Sequence, residues 1–273
     1  MIVVTGASGR LGGRVARLLG GGTRLVVRDT SRAPALGSEV VTASYSDFDA
    51  VRQALAGADV VFMVSGAEAP DRVAQHRNFV DAAVAAGVGH LVYTSFVGAA
   101  PDAVFTLGRD HWATEEHIRA SGLPYTFLRD NIYADFLPMM AGEDGVIRGP
   151  AGDGRAALVA QDDIAAAAVA VLRSFPSHAG RTYDMTGPAA ITLTEAAATV
   201  SEVTGRAVRF HDETLDEAYA SRAVYGAPGW QVEAWVSTYT SIASGELAAV
   251  SDDVRLLTGH PPMSLRELLT RNP

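Results

Sequence analysis

Short apolar runs alternate with stretches of helical periodicity along the first half of the chain. The runs are nearly continuous in apolar residues, which is typical of strands buried on both faces of a parallel sheet. They predict strands over residues 2–5, 24–28, 40–42, 59–64, 90–95 and 125–129. Helical patterns lie between them over residues 48–55, 71–86 and 109–120. This alternation predicts an α/β fold, a Rossmann-type doubly wound parallel sheet with right-handed crossovers.

The pattern is less regular after residue 129. It predicts a short helix over 133–140, a glycine-rich loop over 142–155, a helix over 163–172 capped by Asp162 and Asp163, and a late sheet strand over 181–186. A capping-box pattern, Thr192-x-x-Glu195, starts a helix over 194–205. We therefore predict a nucleotide-binding core in residues 1–150. Residues 151–273 return a helix and a strand to that core and form a small α+β C-terminal substrate lobe.

The first predicted strand runs into a glycine-rich turn, TGASGRLG at residues 5–12, and a helix follows it. Gly6 allows a tight turn, Gly9 lets a pyrophosphate approach the backbone, and Gly12 lets the helix pack closely against the strand. The start of the helix offers N–H groups and a positive dipole end to phosphates. Three glycines are a weak signal among 27, but the strand before them and the helix after them make it specific. The alternative is an ordinary turn that binds no ligand.

The second predicted strand ends in Arg28, and Asp29 follows it. An acidic side chain at this point binds the ribose hydroxyls of NAD, whereas an arginine suits the 2′-phosphate of NADP. Arg10 and Arg32 add positive charge near the same corner. The sequence therefore favours NADP(H). In the alternative, Arg28 is a solvated cation and Asp29 is the ribose ligand.

The composition excludes several kinds of chemistry. All 22 basic residues are arginine and there is no cysteine, which excludes lysine Schiff bases, P-loop lysines, thiolate nucleophiles and disulfides. The seven histidines lack metal-ligand spacing, so we expect no metal. A net charge of −9 argues against nucleic acids and anionic membranes as partners. The apolar run 165–172 is too short to cross a bilayer and Gly6 comes too early for a signal peptide, so we expect a cytoplasmic protein.

Several segments together carry a family resemblance. They are residues 4–12, 26–28 and 91–95, the pattern Leu128-Arg129-x-x-x-Tyr133, and residues 258–262. These segments resemble the NmrA-like branch of the atypical short-chain dehydrogenase/reductases. Within that branch, residues 75–78, 110–115 and 152–155 are similar to the bacterial NADPH:quinone oxidoreductases. The resemblance implies an NADP(H)-dependent oxidoreductase that acts on a quinone or a similar planar aromatic carbonyl compound, without flavin or metal.

The resemblance also shows what this chain lacks. Extended short-chain dehydrogenases carry Tyr-x-x-x-Lys on the helix after the fifth strand, and the matching residues here are Leu107 and His111. No acid therefore stands at the usual place to protonate a carbonyl oxygen as the hydride arrives. A quinone has less need of one, because aromatisation of the product stabilises the oxygens.

The candidate site residues form three groups. For cofactor binding we name Gly6, Ser8, Gly9, Arg10, Leu11, Gly12, Arg28, Val64, Ser65, Thr94, Ser95 and His111. For catalysis we name His111, Ser95 and Tyr133, and for the substrate pocket Phe96, Asn131, Tyr133, Phe136 and Trp230. Each has a plainer alternative: a structural histidine, a strand-end hydroxyl, and aromatic side chains that only pack.

Two other functions stay open at this stage. One is a non-catalytic NADP(H) sensor that binds a protein partner. The other is a tailoring enzyme of aromatic natural-product biosynthesis, with flavin-free oxygenation of a hydroquinone as one possible reaction. An aromatic small molecule is the expected substrate, and a homodimer is the expected assembly.

Overall fold

Seven parallel strands form the centre of the computed structural model, which describes residues 1–271. The strands of the chain are β1 (Ile2–Thr5), β2 (Arg24–Val27), β3 (Glu39–Thr42), β4 (Val60–Met63), β5 (Leu91–Phe96), β6 (Tyr125–Asp130), β7 (Val146–Gly149), β8 (Arg155–Ala156), β9 (Arg181–Met185), β10 (Ile191–Thr192) and β11 (Arg209–Asp212). The central sheet has the order β3-β2-β1-β4-β5-β6-β9. The predicted Rossmann-type sheet is confirmed. Its order reverses between β1 and β4, which is where doubly wound sheets bind ligands.

Helices cover both faces of this sheet. They are α1 (Arg10–Leu19), α2 (Phe48–Ala54), α3 (Arg72–Ala85), α4 (Thr106–Ser121), α5 (Leu137–Met140), α6 (Gln161–Arg173), α7 (Leu193–Thr204), α8 (Leu215–Arg222), α9 (Gly229–Ser244), α10 (Asp253–Thr258) and α11 (Leu265–Arg271). Successive strand residues point to opposite faces. Val4 belongs to the core on the α1 and α6 side, and Val3 to the core on the α3 and α4 side. This double burial explains the continuous apolar runs.

A smaller lobe follows β6 and interleaves with the core. Strand β7 pairs in parallel with β11, β8 pairs antiparallel with β10, and helices α5, α7, α9 and α11 contribute to a third buried cluster. Helix α6 and strand β9 return to the central sheet. No helix within residues 1–271 has the length and apolar character required to cross a bilayer.

The loop predicted over residues 142–155 was wrong, because β7 lies within it and β8 begins at its last residue. Its glycines allow close packing instead of marking a flexible loop. A Cβ on Gly145 would lie 2.2 Å from the carbonyl oxygen of Ala207, and one on Gly149 would lie 2.2 Å from the ring of Tyr239. A high glycine content therefore hides a strand that packs tightly against its neighbours.

Two predicted helix starts had different outcomes. The box at Thr192 and Glu195 is confirmed, since each side chain bonds to the backbone of the other residue. The cap predicted at Asp162 and Asp163 was wrong, because α6 begins at Gln161. Asp163 lies within its first turn, and its carboxylate accepts a hydrogen bond from the Met263 amide at 2.6 Å.

The close packing of β1 and α1 depends on Gly12. A Cβ at this position would lie 2.4 Å from the carbonyl oxygen of Gly6 and 2.7 Å from that of Thr5. Gly6 itself has a φ of +59°, a conformation that glycine adopts readily. The roles predicted for these two glycines in shaping the turn therefore have a direct steric basis.

We expect Gly12→Ala to lower the free energy of unfolding by about 2 kcal/mol or more, because two backbone carbonyls block the added methyl group. Urea denaturation followed by circular dichroism measures this loss. The matched control is Gly229→Ala at the start of α9, where nothing lies within 4 Å of the new Cβ. That control should stay within about 0.5 kcal/mol of the wild type or gain stability. Equal stability of the two variants would contradict the steric role of Gly12.

Candidate functional site

A cleft of about 330 Å³ opens at the carboxyl ends of β1, β2 and β4, at the point where the strand order reverses. Backbone and small side chains form much of its wall, and two arginines stand at one end. Its lining includes Gly6, Ser8, Gly9, Val26, Val27, Arg28, Arg32, Ala43, Ser44, Tyr45, Val64, Ser65, Gly66, Ala67, Glu68, Ala69 and Gln75. The reversal point of the strand order is where doubly wound sheets bind dinucleotides.

The start of α1 faces this cleft without a side-chain cap. Gly9 is the N-cap residue, no side chain bonds to the first turn, and that turn contains no acidic residue. The unpaired N–H groups and the positive end of the helix dipole are therefore available to an anion. Arg10 and Leu11 contribute the first two of these N–H groups.

Arg28 and Arg32 stand at one end of the cleft, and Asp29 points away from it. The Asp29 carboxylate accepts hydrogen bonds from the Ser31 amide at 2.9 Å and the Ser31 hydroxyl at 2.7 Å. These bonds lower the pKa of Asp29. Asp29 is engaged as the cap of a short 3-10 helix and is not among the residues that line the cleft, whereas Arg28 and Arg32 are.

Arg10 lies elsewhere in this structure. Its guanidinium lies 5.2 Å from the centre of the Phe136 ring, and one of its nitrogens is 3.4 Å from the sulfur of Met139. Arg10 therefore contacts the segment after β6 and is not among the residues that line the cleft, whereas Arg28 and Arg32 are.

The loop after β4 forms the opposite wall, and buried side chains fix its backbone. The Val64 amide donates to the Thr5 hydroxyl at 3.0 Å, and the Ser65 amide donates to the Thr94 hydroxyl at 2.7 Å. The Tyr45 hydroxyl donates to the carbonyl of Val64 at 2.7 Å. Of the predicted residues, Val64 and Ser65 line the cleft, while Thr94 lies behind them and holds the loop.

Helices α3 and α4 support this loop through a buried polar network. On α3, Arg72 donates to the carbonyl of Gly66 at 2.9 Å and to the Asp110 carboxylate at 3.3 Å. One turn later, the His76 Nε2 accepts from the Gly66 amide at 2.8 Å. His76 Nδ1 is 2.9 Å from the Thr114 hydroxyl. Burial and the charge of Arg72 lower the pKa of His76 to about 3, so its ring is neutral.

Arg72 and His76 are not among the predicted site residues, although their spacing in the sequence carries a signal. The two residues are four apart on α3, and their partners Asp110 and Thr114 are four apart on α4. Two polar pairs with this spacing can meet across a helix–helix contact. Helical spacing alone, however, does not identify the facing helix.

His111 belongs to the same network. Its Nε2 is 3.0 Å from the Arg72 guanidinium, and its Nδ1 is 3.0 Å from the Tyr93 hydroxyl. An arginine can only donate, so Nε2 is the acceptor and Nδ1 carries the hydrogen. Burial, followed by the charge of Arg72, lowers the pKa of His111 well below its usual range. Both ring nitrogens are therefore engaged within the protein.

Ser95 is also engaged within the protein. Its hydroxyl donates to Glu115 at 2.6 Å, and that carboxylate is fully buried. Arg129 binds both carboxylate oxygens of Glu115, at 2.8 and 2.7 Å, and Arg119 adds a contact at 3.0 Å. Bidentate pairs of this kind are among the strongest polar contacts in proteins. The hydroxyl of Ser95 thus helps to join β5 to α4 and β6.

The predicted substrate residues lie after the ends of β5 and β6 and on α9. Phe96 packs against Phe105 with ring centres 4.8 Å apart, and Tyr133 against Phe136 with centres 5.5 Å apart. Asn131 is buried, and its side chain bonds to the carbonyl of Leu247 and to the amide of Ile132. The structure therefore places Phe96, Tyr133 and Phe136 at this edge of the sheet, with Asn131 fixing the chain beneath them.

Trp230 is partly buried at the start of α9 and is not among the residues that line the cleft. This helix contacts the loop after β4 directly, since Gln231 and Trp235 both donate to the Glu68 carboxylate, at 2.9 and 3.1 Å. The C-terminal lobe therefore reaches over the cleft wall. Within residues 1–271, no group of three or more His, Asp or Glu side chains is arranged to hold a metal ion.

The fold and the cleft together define a dinucleotide-binding protein of the doubly wound α/β class. The chain belongs to the NmrA-like family, which it matches over residues 1–224. The resemblance to this branch is thereby confirmed.

Three relatives resemble the chain over nearly its full length. Quinone oxidoreductase 2 of Escherichia coli is 33% identical over 278 residues, which cover 98% of this chain and 96% of that protein. Its crystal structure with NADPH matches with a TM-score of 0.90 and covers 99% of each chain. An NAD(P)H azoreductase of Xenophilus azovorans is 33% identical, with coverage of 98% and 96%. The (4-alkanoyl-5-oxo-2,5-dihydrofuran-3-yl)methyl phosphate reductase of Streptomyces griseus is 38% identical, also with coverage of 98% and 96%.

The neutral state of His76 makes the stability of the protein depend on pH. Between about pH 3 and 6.5 the unfolded chain binds a proton at this histidine that the folded protein does not. The contribution of His76 to stability is therefore lost as the pH falls below 6.5. We expect His76→Gln to reduce the acid sensitivity of the unfolding free energy by up to about 1.4 kcal/mol per pH unit.

Urea denaturation of wild type and variant at pH 7, 6 and 5 measures this difference in slope. The comparison is made between the two proteins because other groups titrate in the same range. His117→Gln, on the outer side of α4 where His117 pairs with Asp81, is the matched control. Equal slopes for the wild type and His76→Gln would contradict a neutral His76.

Proposed function

We propose that this chain is an NADP(H)-dependent oxidoreductase that reduces a quinone or a similar conjugated, planar carbonyl compound. The observation that carries the proposal is the arrangement of charge along the cleft. An uncapped helix start faces its middle, Arg28 and Arg32 stand at one end, and Asp29 is bonded to Ser31. This arrangement suits a dinucleotide with an additional phosphate on its ribose.

Different residues of the chain bind different parts of the cofactor. The N–H groups at the start of α1 bind the pyrophosphate, with Gly9 allowing its close approach, and Arg28 and Arg32 bind the 2′-phosphate. Val64 and Ser65 form the wall toward the nicotinamide half. The bound cofactor supplies a hydride, and the protein supplies orientation and shields the reacting atoms from water.

The substrate class follows from the side chains at the ends of β5 and β6. Phe96, Tyr133 and Phe136 offer flat apolar surfaces, and Trp230 contributes another from the C-terminal lobe. The names of two relatives denote a quinone and a conjugated furanone as substrates of those proteins. Both compounds contain a carbonyl conjugated to a carbon–carbon double bond, which accepts hydride readily.

His111 and Ser95 act as positioning residues in this proposal. The polar atoms of both side chains are hydrogen-bonded within the protein. His111 bonds to Arg72 and Tyr93, and Ser95 bonds to Glu115. They hold the walls of the site and do not transfer protons to the substrate.

Arg28→Ala should weaken the binding of NADPH about 10- to 100-fold and change the binding of NADH less than threefold, because only NADPH carries the 2′-phosphate. The range corresponds to about 1.5–3 kcal/mol for a charge-assisted contact. Fluorescence titration of both cofactors measures the ratio. Arg10→Ala is the matched control, since this arginine contacts Phe136 in the structure. A wild type that binds both cofactors equally would overturn the assignment of Arg28.

The purified protein should oxidise NADPH with naphthoquinones or benzoquinones without added flavin or metal, and should be nearly inert with aliphatic ketones. Absorbance at the nicotinamide band measures the rate, and oxygen uptake distinguishes simple reduction from oxygenation of a hydroquinone. Tight binding of NADPH with no turnover on any conjugated carbonyl compound would contradict the proposal that this protein is an enzyme. A sensor that binds a protein partner would then be the better description.

A further inference from the structure

The carboxyl group of Asp130 is buried and incompletely hydrogen-bonded. Asp130 is the last residue of β6 and is 2% exposed. The Tyr133 hydroxyl lies 2.7 Å from its Oδ2. Its Oδ1 is the one buried side-chain nitrogen or oxygen atom within residues 1–271 that has no hydrogen-bond partner. Because buried polar atoms nearly always have partners, this one requires an explanation.

Within residues 1–271, no arginine or histidine forms an ion pair or a hydrogen bond with this carboxyl group. Its neighbours in register are Phe96 on β5 and Met185 on β9, both uncharged. Tyr133 is the titratable group in contact with it. Besides Asp130, the charges that act on the pKa of Tyr133 are those of Asp135, which is paired with Arg14 of α1 and raises it, and of Arg72 on α3, which lowers it.

A carboxyl group in such surroundings keeps its proton at neutral pH. Burial raises the pKa of Asp130 to about 8, against the opposing effect of the Tyr133 hydrogen bond. Burial and the neighbouring Asp130 also raise the pKa of the Tyr133 phenol. In the structure the Tyr133 phenol donates to Oδ2 of Asp130. When the carboxyl proton occupies Oδ2, the direction of this hydrogen bond reverses and the carboxyl donates to the phenol oxygen. The phenol hydrogen is then free to point away from Asp130.

The pair lies at the carboxyl end of β6, beside the start of α1. Asp130 ends the strand next to β5, and Tyr133 packs against Phe136, whose ring lies 5.2 Å from the guanidinium of Arg10, the first residue of α1. The 2′-phosphate end, marked by Arg28, is on the other side of the glycine-rich turn. In a doubly wound fold the reacting ring of the cofactor therefore faces the ends of β4, β5 and β6.

We propose that Asp130 and Tyr133 form a two-residue proton relay that supplies the proton for reduction of the carbonyl acceptor. This inference rests on the proposed function. One hydride and one proton convert a quinone into a hydroquinone. After the hydride is transferred, Tyr133 donates its phenol proton to the negatively charged oxygen of the acceptor. Tyr133 then takes the carboxyl proton of Asp130, and solvent returns a proton to the carboxylate.

The relay takes the place of the tyrosine acid that extended short-chain dehydrogenases carry on the helix after the fifth strand. Leu107 and His111 occupy the positions of the tyrosine and lysine of extended short-chain dehydrogenases. His111 is neutral with both nitrogens engaged, and Ser95 donates to Glu115. Asp130 and Tyr133 stand one strand further along the same edge of the sheet.

The test compares two acceptors that differ in their need for a proton. A quinone takes up a hydride and a proton, whereas a cationic triarylmethane dye takes up a hydride at carbon and becomes neutral without one. Tyr133→Phe and Asp130→Asn should lower kcat with a naphthoquinone at least tenfold. The same variants should change kcat with the dye less than twofold.

The matched controls are Tyr125→Phe, at the opposite end of β6, and Asp184→Asn, a partly buried carboxyl on β9. Both should retain wild-type rates with both acceptors. Circular dichroism and NADPH titration establish that each variant is folded and binds the cofactor.

Two further measurements do not depend on the dye. For quinone reduction, kcat of the wild type should fall as the pH rises through about 8, and this fall should disappear in Asp130→Asn. The second is independent of turnover. A raised pKa in the folded state means that the contribution of Asp130 to stability is lost as the pH rises from about 4 to 8. The free energy of unfolding of Asp130→Asn, relative to that of the wild type, should therefore increase as the pH rises from 5 to 8.5.

Each outcome decides between the two proposals. Equal losses with quinone and dye, or no loss with either, would overturn the relay and leave the proposed function intact. An unchanged pH dependence of stability in Asp130→Asn would show that the carboxyl is already ionised and would also overturn it. A wild type that reduces the dye but no conjugated carbonyl compound would refute the proposed function and the relay together.

Discussion

The guanidinium of Arg72 joins the loop after β4 to helix α4, and the shape of the cleft wall depends on this contact. It is nearly fully buried and bonds to the Gly66 carbonyl, the Asp110 carboxylate and His111 Nε2. A buried cation must satisfy its donors locally, so the loop, α3 and α4 can meet in only one arrangement. Burial, with the charge of Arg72 as the second cause, lowers the pKa of His76 and of His111 and keeps both rings neutral. The contact thus fixes both the geometry and the protonation of this side of the site.

The sheet and the phosphate-binding turn were predictable because their signals are local. A strand buried on both faces needs a continuous apolar run, and the close approach of α1 to β1 needs a glycine at position 12. The C-terminal lobe was less predictable, since the glycines of residues 142–155 are required by contacts with Ala207, Tyr239 and Ile242. Those partners are distant in sequence, so the glycine-rich segment by itself predicts a loop.

The chemistry of individual polar side chains was harder to predict than their location. His111 and Ser95 stand near the carboxyl edge of the sheet, where the sequence puts them. Which atoms remain free is decided by partners on other elements: Arg72 of α3 and Tyr93 of β5 for His111, and Glu115 of α4 for Ser95. A motif assigns a residue to a region of the fold, whereas its protonation and free hydrogen-bonding capacity are tertiary properties.

The position of an acid at such a site is therefore not fixed by the fold alone. The edge of the sheet offers several strand ends around the same reacting atoms, and an acid is effective at any of them if burial keeps it protonated. The polar side chains of helix α4 form hydrogen bonds and ion pairs with α3 and β6 that hold these elements together. The end of β6 holds a carboxyl that is buried without a cation and touches a phenol. A buried ionisable group without a counter-charge destabilises the folded protein at high pH, and a chemical role is the simplest reason to retain it.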